Sequence, residues 1–157
     1  MKIQFWSVGK AHEPYVKAGV EEFTARIARY FRVEWILIGA PKNAAALGGQ
    51  DLVRKEGEQI LNLLSKDDYL IALEETGTMF TSEGLAGLMQ SRANDSTRQL
   101  VFLIGGAYGL DDAVLKRAGT KWSLSSLVFP HQLVRLILAE QVYRACTILK
   151  NEKYHHK

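Results

Sequence analysis

Short apolar runs and amphipathic stretches alternate along the chain. Residues 3–8, IQFWSV, form an apolar and aromatic run of strand length. Across residues 14–30 the apolar positions Val16, Val20, Phe23, Ile27 and Tyr30 are three or four apart, which predicts a helix with one buried stripe. Residues 33–38 read as a second strand. Residues 39–50 hold four Ala, three Gly and one Pro, a composition that predicts a mobile loop. Asp51 then opens a helix carrying Leu52, Ile60, Leu63 and Leu64, and residues 69–73 form a third strand. Thr81 or Ser82 supplies the hydroxyl that caps a helix running to about Asn94. A fourth strand over 100–104, a short helix capped by Asp111 and a fifth strand over 122–124 follow. Pro130 opens the last and longest helix, to about Lys150.

This β-α-β-α rhythm predicts an α/β sandwich with a largely parallel sheet. The run LVFLI over 100–104 is apolar at every position, as a central strand covered on both faces requires. Neither an internal repeat nor a linker divides the chain, so one domain over 1–157 is expected. The last helix, LVRLILAEQVYRACTIL over 133–149, has Leu133, Val134, Leu136 and Ile137 on more than one face. Either it is sunk in its own core or its extra apolar area is covered by a second copy, as a homodimer.

Three turns after predicted strands are the candidate chemistry. They are LEETGTMFTSEGLA (73–86), LIGGAYGL (103–110) and WSLSSLVFPHQLVR (122–135). In a parallel sheet, ligands sit beyond the carboxyl ends of strands, so the three turns are expected to wall one pocket. Gly105, Gly106 and Gly109 follow neither the dinucleotide pattern nor the P-loop pattern, and by themselves fit a tight turn as well as a ligand cradle. Ser123, Ser125 and Ser126 offer small polar groups for an adenine edge, with Leu124 and Leu127 to sandwich its ring. Equally, they form a connector that satisfies its own backbone. On the last helix His131 and Arg135 share a face, as do Glu140 and Arg144. The chain ends in Tyr154, His155 and His156. With one cysteine, Cys146, and no H-E-x-x-H, no metal site is expected.

Composition narrows the setting. The 157 residues are 47% hydrophobic and 24% charged, a globular balance. The net charge is +3, and residues 100–157 carry eight Lys or Arg against four Asp or Glu. The positive excess therefore lies in the C-terminal third, where an anionic partner is plausible. A single free thiol, no signal peptide in MKIQFWSVGK and no apolar stretch near about 20 residues predict a cytoplasmic protein without membrane spans.

LIGGAYGL, WSLSSLVFPHQLVR, EQVYRA (140–145) and YHHK (154–157), with IQFWSVGK and LEETGTMFTSEGLA, resemble one family over essentially the whole chain. It is the ribosomal RNA large subunit methyltransferase H family of the SPOUT superfamily. The resemblance implies a SPOUT-type α/β sandwich with a deep trefoil knot in its C-terminal half, a feature physical priors disfavour. It implies S-adenosyl-L-methionine as cofactor, contacted at Leu73, Gly105, Leu124, Ser125, Ser126, Leu127, Val128 and Phe129. The implied substrate is N3 of a pseudouridine in helix 69 of 23S ribosomal RNA on the assembled ribosome. The implied enzyme is a homodimer in which the tail of one subunit completes the site of the other.

N3 must lose a proton to attack well, so the catalytic set expected is His155 as base, with Tyr154 beside it, and Arg135 and Arg144 to hold phosphate or a developing imide anion. Lys121, Arg144, Lys153 and Lys157 are the candidate phosphate contacts. The alternatives are a SPOUT methyltransferase with another RNA target and a non-catalytic RNA-binding module. A flavodoxin-like nucleotide protein would need a phosphate cradle that the sequence lacks.

Overall fold

Residues 1–156 are described by the structure, a computed structural model. In chain order the elements are β1 (Lys2–Val8), α1 (Pro14–Ile27), β2 (Arg32–Ile38), α2 (Gly49–Leu63), β3 (Tyr69–Met79), α3 (Ser82–Asn94), β4 (Gln99–Ile104), α4 (Asp112–Arg117), β5 (Thr120–Ser123) and α5 (His131–Leu149). The sheet order is β2-β1-β4-β3-β5, and every pairing is parallel. All five strands therefore end at the same edge.

Alternation along the central strands decides what each face buries. Ile3 and Phe5 of β1, Ile71 of β3, and Leu100, Phe102 and Ile104 of β4 pack with Leu138 and Val142 of α5 and Leu85 and Met89 of α3. The intervening Trp6, Val8, Leu70, Val101 and Leu103 pack with Ile60 of α2 and Val114 of α4. β4 is thus covered on both faces, as its uninterrupted apolar run requires. Each fully buried Phe or Leu contributes roughly 1.5–3 kcal/mol. Helices α1 and α5 approach closely because Gly19 leaves room: a Cβ there would lie 2.6 Å from a methyl of Leu136.

Three elements differ from the sequence pattern. Helix α2 starts at Gly49, two residues before Asp51, and a 3-10 turn at Ala44–Ala46 occupies part of the expected loop. Asp111 precedes α4 without a side-chain cap, whereas Thr81 does cap α3, its hydroxyl accepting from Gly84 N at 2.9 Å. The third difference shapes the site. β3 runs past Leu73 to Met79, and both Leu73 and Thr78 pair with Trp122. Residues 74–77 are therefore pushed out of the ladder as a bulge at the ligand edge of the sheet. Gly77 makes this possible, since a Cβ would stand 2.6 Å from the backbone of Lys121.

Candidate active site

The three turns meet at the carboxyl edge. Leu73, Glu74 and Glu75 from the β3 bulge, Gly105, Gly106 and Gly109 from the turn after β4, and Leu124, Ser125, Leu127, Val128 and Phe129 after β5 line one cleft of about 230 Å³. Ile104, Leu110, Trp122, Ser123 and Val134 complete its walls. A neighbouring hollow of about 480 Å³ shares Leu73, Glu74, Glu75, Gly109 and Leu110 with it. Of the cofactor positions expected from the sequence, only Ser126 lies outside this lining; its hydroxyl is turned toward Met79 Sδ, 3.8 Å away.

Each loop is fixed locally. The turn after β4 closes through Gly109 N to Gly106 O at 3.1 Å, with Gly109 at φ +85°, a conformation favouring glycine. The loop after β5 uses two serines on its own backbone: Ser123 Oγ donates to Ser125 O at 3.2 Å, and Leu127 N donates to Ser125 Oγ at 3.0 Å. Leu127 and Val128, 71% and 92% exposed, leave an apolar lip at the mouth. Behind the glycine turn, the nearly buried Glu56 carboxyl sits where a Cβ on Gly106 would touch it at 2.9 Å. Burial pushes that carboxyl above its ordinary range.

His131 and Arg135 lie behind the cleft. The His131 ring meets the carbonyl of Gly105 through Nε2 at 2.9 Å. Arg135, expected to hold phosphate or a developing imide anion, is wholly buried. Its Nε donates to Ser7 Oγ at 3.0 Å and its Nη1 to His12 Nδ1 at 3.2 Å, while its Nη2 is buried without a partner. Burial first, then the Arg135 charge, holds both His131 and His12 below the ordinary histidine value. Sequence reasoning missed Ser7, Gly9 and His12. Ser7 lies near the end of β1 and Gly9 and His12 just past the strand, and the only signal for the first two was their place in the IQFWSVGK segment.

The tail forms a second cluster. His155 Nε2 contacts Glu83 Oε1 at 2.7 Å, and its Nδ1 faces Arg144 Nη1 at 3.2 Å. Arg144 Nε donates to Glu140 Oε1 at 2.9 Å, and Tyr154 Oη donates to the same oxygen at 3.1 Å. The Arg144 guanidinium stacks over the Tyr154 ring at 4.7 Å. Because arginine only donates, Nδ1 accepts here and the Nε2 proton points at Glu83. Glu83, in the first turn of α3, carried no sequence signal beyond its position after the cap. Tyr154, His155 and Arg144 do not line the cleft. The chain thus carries a cleft with no histidine in its lining and a histidine network that does not line it. Lys121 and Lys153 are exposed, and Lys157 lies outside the described residues. Among the described residues no group of His, Cys, Asp and Glu is arranged to hold a metal, and no helix is long and apolar enough to cross a membrane.

A family model described as a predicted SPOUT methyltransferase matches residues 1–155. The chain belongs to the SPOUT methyltransferase family. Curated relatives bear the name ribosomal RNA large subunit methyltransferase H. One from Cytophaga hutchinsonii is 45% identical over 157 residues, covering 99% of this chain and 100% of the relative. Others, from Trichlorobacter lovleyi and Bacillus pumilus, are 42% and 43% identical, each covering 99% of this chain, and 100% and 99% of their own lengths. In this SPOUT methyltransferase the cleft combines bare glycine backbone, aliphatic walls and two carboxylates from the β3 bulge. Apolar walls with a few placed polar groups are the usual make-up of a small-molecule site.

Proposed function

We propose that this chain is an S-adenosyl-L-methionine-dependent methyltransferase acting on N3 of a pseudouridine in helix 69 of 23S ribosomal RNA, on the assembled ribosome and as a homodimer in the cytoplasm. The observation that carries the reading is the single cleft built by the β3 bulge, the glycine turn and the 124–129 loop in a chain of this family. The name shared by the full-length relatives supports ribosomal RNA as the substrate class.

The residues present fit the cofactor. Leu124 and Leu127 offer apolar walls for an adenine, Gly105 and Gly106 admit a ribose to bare backbone, and Glu74 and Glu75 suit the cationic end. S-adenosyl-L-methionine supplies a methyl group already activated by the sulfonium. The chain's own residues then have to hold the base and take the N3 proton. The reading also carries a trefoil knot in the C-terminal half, as the resemblance to the family implies.

His155 is the base this reading favours. Its Nδ1 lone pair is occupied by Arg144, so Arg144 has to turn away, toward a phosphate or the imide, before His155 accepts a proton. Because Tyr154 and His155 sit away from the cleft of their own chain, a second copy is the natural source of the tail. Leu133 and Ile137, still half-exposed on α5, are apolar surface for such a contact. His155→Ala is expected to lower the methylation rate 10²–10⁴-fold and remove the base's limb from the pH profile. An unchanged rate and profile would take His155 out of the chemistry.

The test of function is complementation. Ribosomes from a strain lacking the gene, incubated with this protein and S-adenosyl-L-methionine, should regain one methyl group, mapped to a helix 69 pseudouridine. A methyl group on a different nucleotide indicates another RNA target. RNA binding with no methyl transfer indicates a non-catalytic module.

A further inference from the structure

We propose that His131 is a positioning residue for the cofactor cleft: its imidazole fixes the carbonyl of Gly105, so that the glycine turn after β4 holds the shape S-adenosyl-L-methionine binds. This rests on the cofactor reading above.

Three observations converge. The contact is direct, His131 Nε2 to Gly105 O at 2.9 Å, and a carbonyl only accepts, so Nε2 carries the proton. It ties the first turn of α5 to the glycine turn across 26 residues of sequence. Gly105 is itself a wall of the cleft, and it is the residue whose carbonyl His131 holds. The nearest atoms a Cβ there would meet are those of Leu110, within the same turn.

The surroundings of His131 hold the ring in place. His131 follows Pro130, the residue that ends the 124–129 loop, so one side chain links two of the three cleft walls. Gly9, at φ +131°, passes close to both side chains behind the ring: a Cβ there would lie 3.8 Å from His131 Cε1 and 3.5 Å from Arg135 Nη2. The wholly buried Arg135, anchored on Ser7 and His12, forms the floor beneath. In the orientation seen, the ring's donor is spent on Gly105. His131 does not line the cleft, so it acts through the turn and not on the substrate.

The test is S-adenosyl-L-methionine binding by calorimetry on the full chain, with thermal melting alongside and steady-state kinetics on ribosomes. His131→Ala removes one neutral hydrogen bond, so the cofactor Kd and KM should rise about 3–10-fold, with kcat changed less. His131→Gln places an amide N–H near the Nε2 position and should restore most of the affinity. His131→Asn, whose amide reaches only the Nδ1 position, should not. If the alanine variant fails to fold, the Gln and Asn pair carries the comparison. Equal cofactor affinity in wild type and every folded variant overturns the proposal. So does equal loss in Gln and Asn in step with their melting temperatures, which means a purely structural histidine. A wild type that binds no cofactor at all rejects the underlying cofactor reading instead.

Discussion

Glu56 is the clearest case of a side chain whose environment opposes its charge. It lies 8% exposed against Gly106, and burial raises its carboxyl above the model-peptide value of 4.5. The folded state therefore binds a proton more readily than the unfolded chain. Its charge penalty is absent at pH values below 4.5 and grows as pH rises through the raised folded value. Glu56→Gln should leave stability nearly unchanged at pH 4 and raise the melting temperature at pH 7. Melting curves at the two pH values check this. A variant that melts lower at pH 7 would mean that the carboxylate is used by the turn it supports. Arg135 shows the opposite limit of legibility. Its type and its spacing from His131 were plain in the sequence, but nothing local distinguished an arginine facing RNA from one sealed beneath β1. Only the packing of α5 across the sheet decides that.

Among the elements, the β3–β5 pair carries the most consequence. Short apolar runs, helical spacing and the residues that open helices disclosed all five strands and five helices, because burial and capping write directly into local sequence. What they could not disclose was the extension of β3 beyond Leu73. Residues 74–77 read as a turn, and they do leave the ladder. The strand resumes at Thr78 only because β5 continues to offer a partner. That is a long-range property invisible to local pattern. Gly77 is the hinge of this arrangement. Gly77→Val forces a Cβ and its two methyls against the Lys121 backbone and is expected to destabilise by about 2 kcal/mol. The same variant should weaken cofactor binding, since Glu74 and Glu75 hang on the bulge. Denaturant unfolding and calorimetry read the two effects separately, and a wild-type midpoint would show that the bulge adapts at little cost.

In the molecule as a whole, topology turns three separated segments into one cleft. All strands are parallel, so the ends of β3, β4 and β5 share an edge, and the cleft was foreseeable from the element order alone. The separation of the tail cluster from that cleft was not. It depends on where the chain turns after Lys150, with Tyr154 folding back onto Glu140. Surface charge bears on the proposed RNA substrate. With Arg135 buried, the accessible basic groups of the C-terminal third are fewer than the sequence count suggests, yet Lys121, Lys150 and Lys153 remain exposed. Ribosome binding should weaken steeply with salt, by tenfold or more between 50 and 200 mM if a few phosphates are contacted. Affinity insensitive to ionic strength would contradict a phosphate-bound enzyme.

The most direct measurement is titration calorimetry of the purified chain with S-adenosyl-L-methionine, beside a Gly105→Val variant whose side chain would press into Leu110 and the Gly109 backbone. The account predicts saturable binding to the wild type with a Kd at or below about 100 μM, and its loss in a variant that still melts cooperatively. Absence of binding to the wild type at millimolar cofactor, or undiminished binding to the folded variant, would show that the cleft at the carboxyl edge is not the methyl-donor site.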